Sequence, residues 1–299
     1  MERGVGEPTV SLSRLLQGDS AAVTGQTEVG LSQYVEEIFA SGFPGIRGLP
    51  QRARDVQIDS YLRRVVERDL QESGVAVRRP TVLLSWLAAY AAATSTDAAY
   101  SIILDAATAG EPDKPARQTV DGYRDHLTRI FLLDPLPAWL PTFAPLKRLT
   151  RTPKHHLVDP ALAARLVGVG REGLLGGAQR KPIVAPATTT ATWLGALFES
   201  LATQSVRVYA QAVDATTGHL RTKNTDREVN LIVEGPDRRV VAIEVKLAAT
   251  VSDADVRHLH WLHDQLGERL ADRVVITTGS DAYRRRDGVA VVPLALLGP

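Results

Sequence analysis

Hydrophobic positions along this chain follow two rhythms. In the first half they recur every three or four residues, which is the spacing of one helix face. Leu31–Ala40 carries Leu31, Tyr34, Val35 and Ile38 on one stripe, and Ala53–Gln71 carries Ile58, Tyr61, Leu62 and Val65. Thr81–Thr94 continues with Leu83, Leu84, Leu87 and Tyr90, and Ala98–Thr108 with Ile102, Ile103 and Ala106. Thr119 is placed to cap a third helix of this group, whose face is Val120, Tyr123, Leu127, Ile130 and Phe131. From Trp193 the rhythm changes. A helix over Trp193–Gln204 precedes an expected strand at Ser205–Val213, and Asp226–Leu247 reads as two strands around a polar turn at Gly235–Arg239. Ser252 and Asp255 then form a capping box, with Asp in place of Glu, ahead of a helix bearing Val256, Leu259, Leu262, Leu266 and Leu270. Apolar strands at Arg273–Thr278 and Val289–Val292 complete the pattern.

This order predicts an irregular lead-in at 1–30 and a mainly helical, winged-helix-like domain at 31–150. A connector with a short helix and a loop follows at 151–192, and an α/β domain at 193–299 has a mixed sheet covered by helices. Prolines 135, 137, 141, 145 and 153 make the approach to the connector extended, with Trp139 as a plug over the helix bundle. His155 and His156 are adjacent on an extended stretch and point to opposite faces, so a structural role fits them better than joint metal binding. Gly168–Gly177 holds five glycines and is followed by Arg180 and Lys181, but no Gly-Lys-Ser or Gly-Lys-Thr follows. The chain therefore carries no P-loop and no ATP site of that kind.

Composition adds little direction. The 35 basic and 34 acidic residues leave a net charge of +1, so any nucleic-acid partner must be met by local patches. With no cysteine, disulfides and thiolate metal sites are excluded. The N-terminus lacks a signal-peptide pattern and no apolar run reaches membrane-spanning length, which leads to the expectation of a cytoplasmic protein without a membrane partner.

The candidate chemistry gathers at the strand ending Glu244-Val245-Lys246. Alternation puts the carboxylate and the ammonium on one face, a pairing suited to metal-dependent phosphodiester cleavage. Glu228 and Asn230 share a face of the preceding strand. Arginines offer a second theme. Arg117, Arg124 and Arg129 lie on or just before the exposed side of the third helix, where a winged helix would meet DNA. Arg63, Arg64 and Arg68 line another helix, and Arg284, Arg285 and Arg286 precede the last strand; for both, a solvated face or turn is the commoner use than a phosphate grip.

Several stretches together carry a resemblance: SGFPGIR at Ser41, YLRRVVERD at Tyr61, WLAAYAAAT at Trp86, PAWLPT at Pro137 and PKHHLVDPALAARL at Pro153. LFESL at Leu197, REVNLIVE, AIEVKLA and the closing DGVAVVPLALLG extend it. From about Val29 nearly to its end the chain resembles the C-terminal region of bacterial AAA-type ATP-binding proteins that carry domain of unknown function 4143 (DUF4143). The resemblance implies a C-terminal domain of the PD-(D/E)xK, restriction-endonuclease-like fold after a winged-helix-like segment. It assigns the nuclease-like positions to Glu199, Asn230, Glu244 and Lys246. The family's first strand reads Glu-Val-Asp where this chain has Glu228-Val229-Asn230. Asparagine offers a cation one neutral oxygen, so Mg2+ would rest on Glu244 with Glu199 or Glu228, a poor set. The expectation is a vestigial site in a non-catalytic module that binds DNA or a protein, with a separate ATPase as one possible partner and no cofactor. The alternatives are a Mg2+-dependent endonuclease and a remnant of an ATP-binding protein that has lost its ATPase domain.

Overall fold

The computed structural model describes residues 6–19, 23–72, 74, 79–109, 117–141, 152–175, 190–222 and 226–299. Its helices are α1 (Leu12–Leu16), α2 (Leu31–Ala40), α3 (Pro44–Arg47), α4 (Gln51–Arg64), α5 (Leu70–Glu72) and α6 (Pro80–Ala92). They continue as α7 (Tyr100–Ala107), α8 (Arg117–Arg129), α9 (Pro160–Val167), α10 (Arg171–Leu175), α11 (Thr190–Gln211) and α12 (Asp253–Leu266). The strands are β1 (Val10–Ser11), β2 (Gly25–Gln26), β3 (Thr216–Arg221), β4 (Glu228–Glu234), β5 (Val240–Val245), β6 (Leu270–Thr277), β7 (Asp281–Arg284), β8 (Ala290–Pro293) and β9 (Leu297–Gly298). No helix among the described residues is long and apolar enough to cross a membrane. The chain divides into two compact units: one of residues 1–34, 136–153 and 201–299, the other of residues 35–135 and 154–200.

The first unit is built on a seven-stranded mixed sheet in the order β2-β7-β8-β6-β5-β4-β3. β3, β4 and β5 form an antiparallel meander, with Leu231 opposite Ile243 and Glu234 opposite Val240. α12 then carries the chain over the sheet, so that β6 returns parallel to β5, as such a crossover requires. β5 has neighbours on both sides and all six of its residues are buried, Glu244 among them. Val256, Leu259 and Leu262 turn one face of α12 into a core with Leu220, Val229, Ile232 and Val275. The expected capping box is present, with the Asp255 carboxylate accepting from the Ser252 N–H at 2.9 Å.

The start of the chain belongs to this unit. β1 pairs parallel with β9, Val10 opposite Leu297, and the Ser11 hydroxyl donates to the Pro299 carbonyl at 2.7 Å. Leu12, Leu15 and Leu16 are buried on α1. Tyr34 accepts from the Ala295 N–H at 3.0 Å, and burial pushes its phenol up to about 12 despite that bond. The described part of residues 1–30 thus includes buried, paired structure as well as irregular stretches.

Trp139 belongs here too and is not a plug over the helices. Its backbone N–H donates to the His219 carbonyl at 2.7 Å, beside β3. Its indole N–H donates to the buried Glu234 carboxylate at 2.5 Å, which Arg269 and Arg238 also hold. Gly218 makes this approach possible, since a Cβ there would lie 2.9 Å from the Trp139 Cβ.

The second unit is helical. Leu83, Trp86, Leu87 and Tyr90 are buried along α6, and Ile58 and Leu62 along α4. A π-helical turn, Val65–Asp69, joins α4 to α5. α8 begins at Arg117, so Thr119 lies inside the helix and does not cap it. Two residues expected in the core are outside it: Ile102 is 60% exposed and Phe131 is 73% exposed. Phe131 takes a left-handed conformation (φ 58°) just past α8, which turns its ring away from the stripe formed by Val120, Tyr123 and Leu127. Asp159 caps α9 and also accepts from the Ser41 hydroxyl at 2.9 Å, tying two of the distinctive sequence stretches together.

The expected strand Ser205–Val213 is mostly helix, because α11 runs on to Gln211. Val206 and Val208 suggest alternation, yet Val206 and Ala210 are buried and Val208 is 40% exposed. Phe198, Ala202, Val206 and Ala210 are all buried at i, i+4 spacing and form one helical stripe, and no proline or glycine lies between Gly195 and the end of α11 to interrupt it.

Candidate functional site

At one end of the sheet, β4 begins and β5 finishes beside the start of α12. The backbone ladder between β4 and β5 reaches Leu231 and Ile243 and goes no further. Beyond it the Asn230 side chain takes over, its Oδ1 accepting from the Val245 N–H at 3.0 Å. The next N–H, that of Lys246, donates across to the Ile276 carbonyl at 2.9 Å. Strand alternation places Glu244 and Lys246 on one face, as expected. Lys246 Nζ lies 3.9 Å from Glu244 Oε2 and 3.7 Å from Asp255 Oδ1. The ammonium thus stands between two carboxylates, one buried in the central strand and one held in the capping box. For Asp255, burial favours the neutral acid, but the two Ser252 bonds and Lys246 outweigh it and lower the pKa.

Glu228, at the start of β4, is half-buried, with its carboxylate 3.9 Å from Arg221. His258 on α12 closes this corner. Its Nδ1 lies 2.8 Å from the Glu228 carbonyl, and its Nε2 lies 3.0 Å from Arg257 Nε, a group that can only donate. Nδ1 therefore carries the proton and the ring is neutral. Burial lowers the His258 pKa first, and the charges of Arg257, Arg227 and Lys246 lower it further. Arg227 lies over the Trp261 ring, 5.7 Å from its centroid.

Glu199 belongs to the helical unit, where its Oε1 accepts from Lys154 Nζ at 2.8 Å. Lys154 is 1% exposed, so this is a buried ion pair. His155 and His156 follow Lys154 in sequence. His155 Nε2 meets the Ala98 carbonyl at 2.7 Å between the Tyr90 and Tyr100 rings, and His156 Nδ1 meets the Ser200 hydroxyl at 3.3 Å. Both imidazoles have structural surroundings. Among the described residues no three His, Asp or Glu side chains converge as a metal-binding group. A cation at Asn230 would also find its one acceptor oxygen occupied by a backbone N–H. Among the described residues, the donor set at Asn230 does not fit Mg2+.

The arginines separate by partner. Arg284 makes two bonds to the buried Asp272, each 2.8 Å, and Arg285 holds Asp287 and the Val251 carbonyl. These side chains brace the turn before β8, leaving Arg286 exposed beside Tyr283. Burial raises the Asp287 carboxyl, but bonds from Arg285, the Val289 N–H and His260 outweigh it and bring its pKa to about 2. Arg124 is half-buried, paired with Asp121 at 3.0 Å and lying over the Tyr100 ring, while Arg129 is exposed. Arg64 and Arg68 pair with Asp69 and Glu72. The side chain of Arg117, residues Arg180 and Lys181, and most of the expected 182–192 loop lie outside the described residues.

Sequence reasoning missed Lys154, Asp255 as a neighbour of Lys246, and His258. Asp255 was visible only as a cap. His258 left one trace, its place three residues after Asp255, about one turn along the same helix.

Comparison with known proteins places these features in two matched regions. Residues 194–297, which include the whole sheet end, match a domain of unknown function (DUF4143). Residues 31–173 match a second domain of unknown function (DUF8612). The chain is 28% identical over 237 residues to an uncharacterised protein of Mycobacterium tuberculosis and, to the same extent, to one of Mycobacterium bovis. The similarity covers 79% of this chain and 46% of each relative, so the chain spans about half the length of the curated relatives it matches. No solved structure matches it.

Proposed function

We propose that this chain is a non-catalytic binding module, a PD-(D/E)xK-like scaffold with a winged-helix-like helical part, whose nuclease-like site has become structural. The observation that carries this reading is the bond from the Val245 N–H to Asn230 Oδ1. It commits the only oxygen of a side chain that would otherwise face a cation, and the amide nitrogen beside it is a donor that repels one. Lys246, set between Glu244 and Asp255, serves equally well as an internal counter-ion. The meander β3–β4–β5, the α12 crossover and the parallel β6 support the scaffold assignment. The module engages a partner supplied from elsewhere; a separate ATPase is one such partner.

The test incubates the protein and its Asn230→Asp variant with labelled duplex DNA, with and without Mg2+ or Mn2+. The native protein is expected to leave the DNA intact with either metal. Metal-dependent cleavage by the native protein that disappears in Lys246→Ala overturns the reading in favour of an endonuclease. Cleavage gained only in Asn230→Asp shows a site disabled by that one substitution.

A further inference from the structure

We infer that the corner formed by Arg227, Arg257 and His258 is a binding site for a phosphate-type oxyanion. This deepens the proposed binding role and rests on it. Among the described residues neither guanidinium has a carboxylate partner. The nearby acids are turned elsewhere: Glu228 towards Arg221, and Asp226 towards the Thr222 hydroxyl, which donates to it at 2.6 Å. Most other arginines in this unit are internally paired, as Arg269, Arg284 and Arg285 show.

The corner is held in place by the fold. His258 is fixed by its bond to the Glu228 carbonyl, and Arg257 is aimed by its Nε bond to His258 Nε2, leaving its terminal nitrogens unused by that bond. Arg227 is supported over Trp261, a contact that steadies a guanidinium without neutralising it. Both cations act on one imidazole, together with Lys246, and their positive charge depresses its protonation. His258 is thus a neutral acceptor for Arg257, and an anion at this corner offsets the arginine charge. Arg257 is exposed and Arg227 half-buried, so a ligand reaches both from solvent. The planar fork of arginine matches the oxygens of a phosphate group.

The experiment uses the whole protein and follows the side-chain Nε–H resonances of Arg227 and Arg257 by NMR. In separate arms, inorganic phosphate and a short single-stranded DNA are added. Saturable movement of both resonances, lost in Arg227→Ala/Arg257→Ala and retained in Arg286→Ala, is the expected result. Movement with phosphate alone assigns the site to a small phosphorylated ligand. Movement with the oligonucleotide at far lower concentration, weakening steeply with salt, assigns it to a nucleic-acid backbone. If neither probe moves these resonances, or the double variant binds as well as the native protein, the oxyanion site is refuted. That outcome leaves the non-catalytic reading standing, because the cleavage assay decides it alone.

Discussion

At the scale of single residues, Asn230 substitutes for a piece of backbone. It accepts the Val245 N–H where β4 and β5 part, and Val245 is buried. Asn230→Ala strands that donor and is expected to cost about 1–3 kcal/mol. Asn230→Asp retains an acceptor in the same place and costs less. Urea unfolding of the two variants checks the difference, and equal losses would show that the bond contributes little. The sequence shows that Glu228 and Asn230 share a face, and that Glu244 and Lys246 share another, because strand alternation needs only counting. It does not show that the ladder stops at Leu231. That depends on how two strands diverge, and the divergence decides whether an amide faces solvent or a backbone N–H.

Among the elements, α11 bears the sharpest contrast between pattern and outcome. The apolar stripe from Trp193 identifies the helix, yet the valines after Ser205 imitate a strand. The structure keeps them helical because Val206 and Ala210 extend the buried row of Phe198 and Ala202. Glu199 on this helix is paired with Lys154 in an almost fully buried setting. Lys154→Ala leaves a carboxylate without its cation and is expected to destabilise the helical unit by about 3–5 kcal/mol. The double replacement Lys154→Met/Glu199→Leu removes both charges and should recover most of that loss. A thermal melt of the single and double variants distinguishes this buried pair from an exposed one, whose removal costs only a few tenths. At α12 the capping box was legible from spacing alone. Ser252→Ala there should cost about 1 kcal/mol, measured by the same melts.

For the whole molecule, acid weakens both units through half-buried or buried imidazoles, and a carboxylate of the sheet unit follows at lower pH. Burial holds the His155 pKa below the ordinary imidazole value of 6.5. The unfolded chain therefore takes up a proton that the folded helical unit refuses. Stability from this group is complete above pH 6.5 and falls as the pH drops from there towards the lowered folded pKa. Asp287, in the sheet unit, has its pKa lowered from 3.8 to about 2, so its contribution is present above 3.8 and lost only as pH falls towards 2. Hydrogen exchange along a pH series is expected to show protection in the helical unit beginning to fade below pH 6.5, and His155→Gln should remove that step, while His258, also lowered, acts over the same range in the sheet unit. An unchanged pH profile of the helical unit in His155→Gln would contradict the assignment.

The sequence by itself determined the helical first half, the strands β4, β5, β6 and β8, the capping of α12, the single face shared by Glu244 and Lys246, and the absence of thiolate chemistry. Each of these follows from local periodicity or residue type. Only the tertiary structure decided that Lys154 takes Glu199, that Trp139 is buried beside β3, and that Val10 to Leu16 complete the sheet unit. It also decided that Arg284 and Arg285 brace a turn while Arg227 lies over Trp261 and Arg257 bonds His258. The reason is physical: a side chain's partner is set by which distant segments pack against it, and the order of residues along the chain carries no distance across the fold.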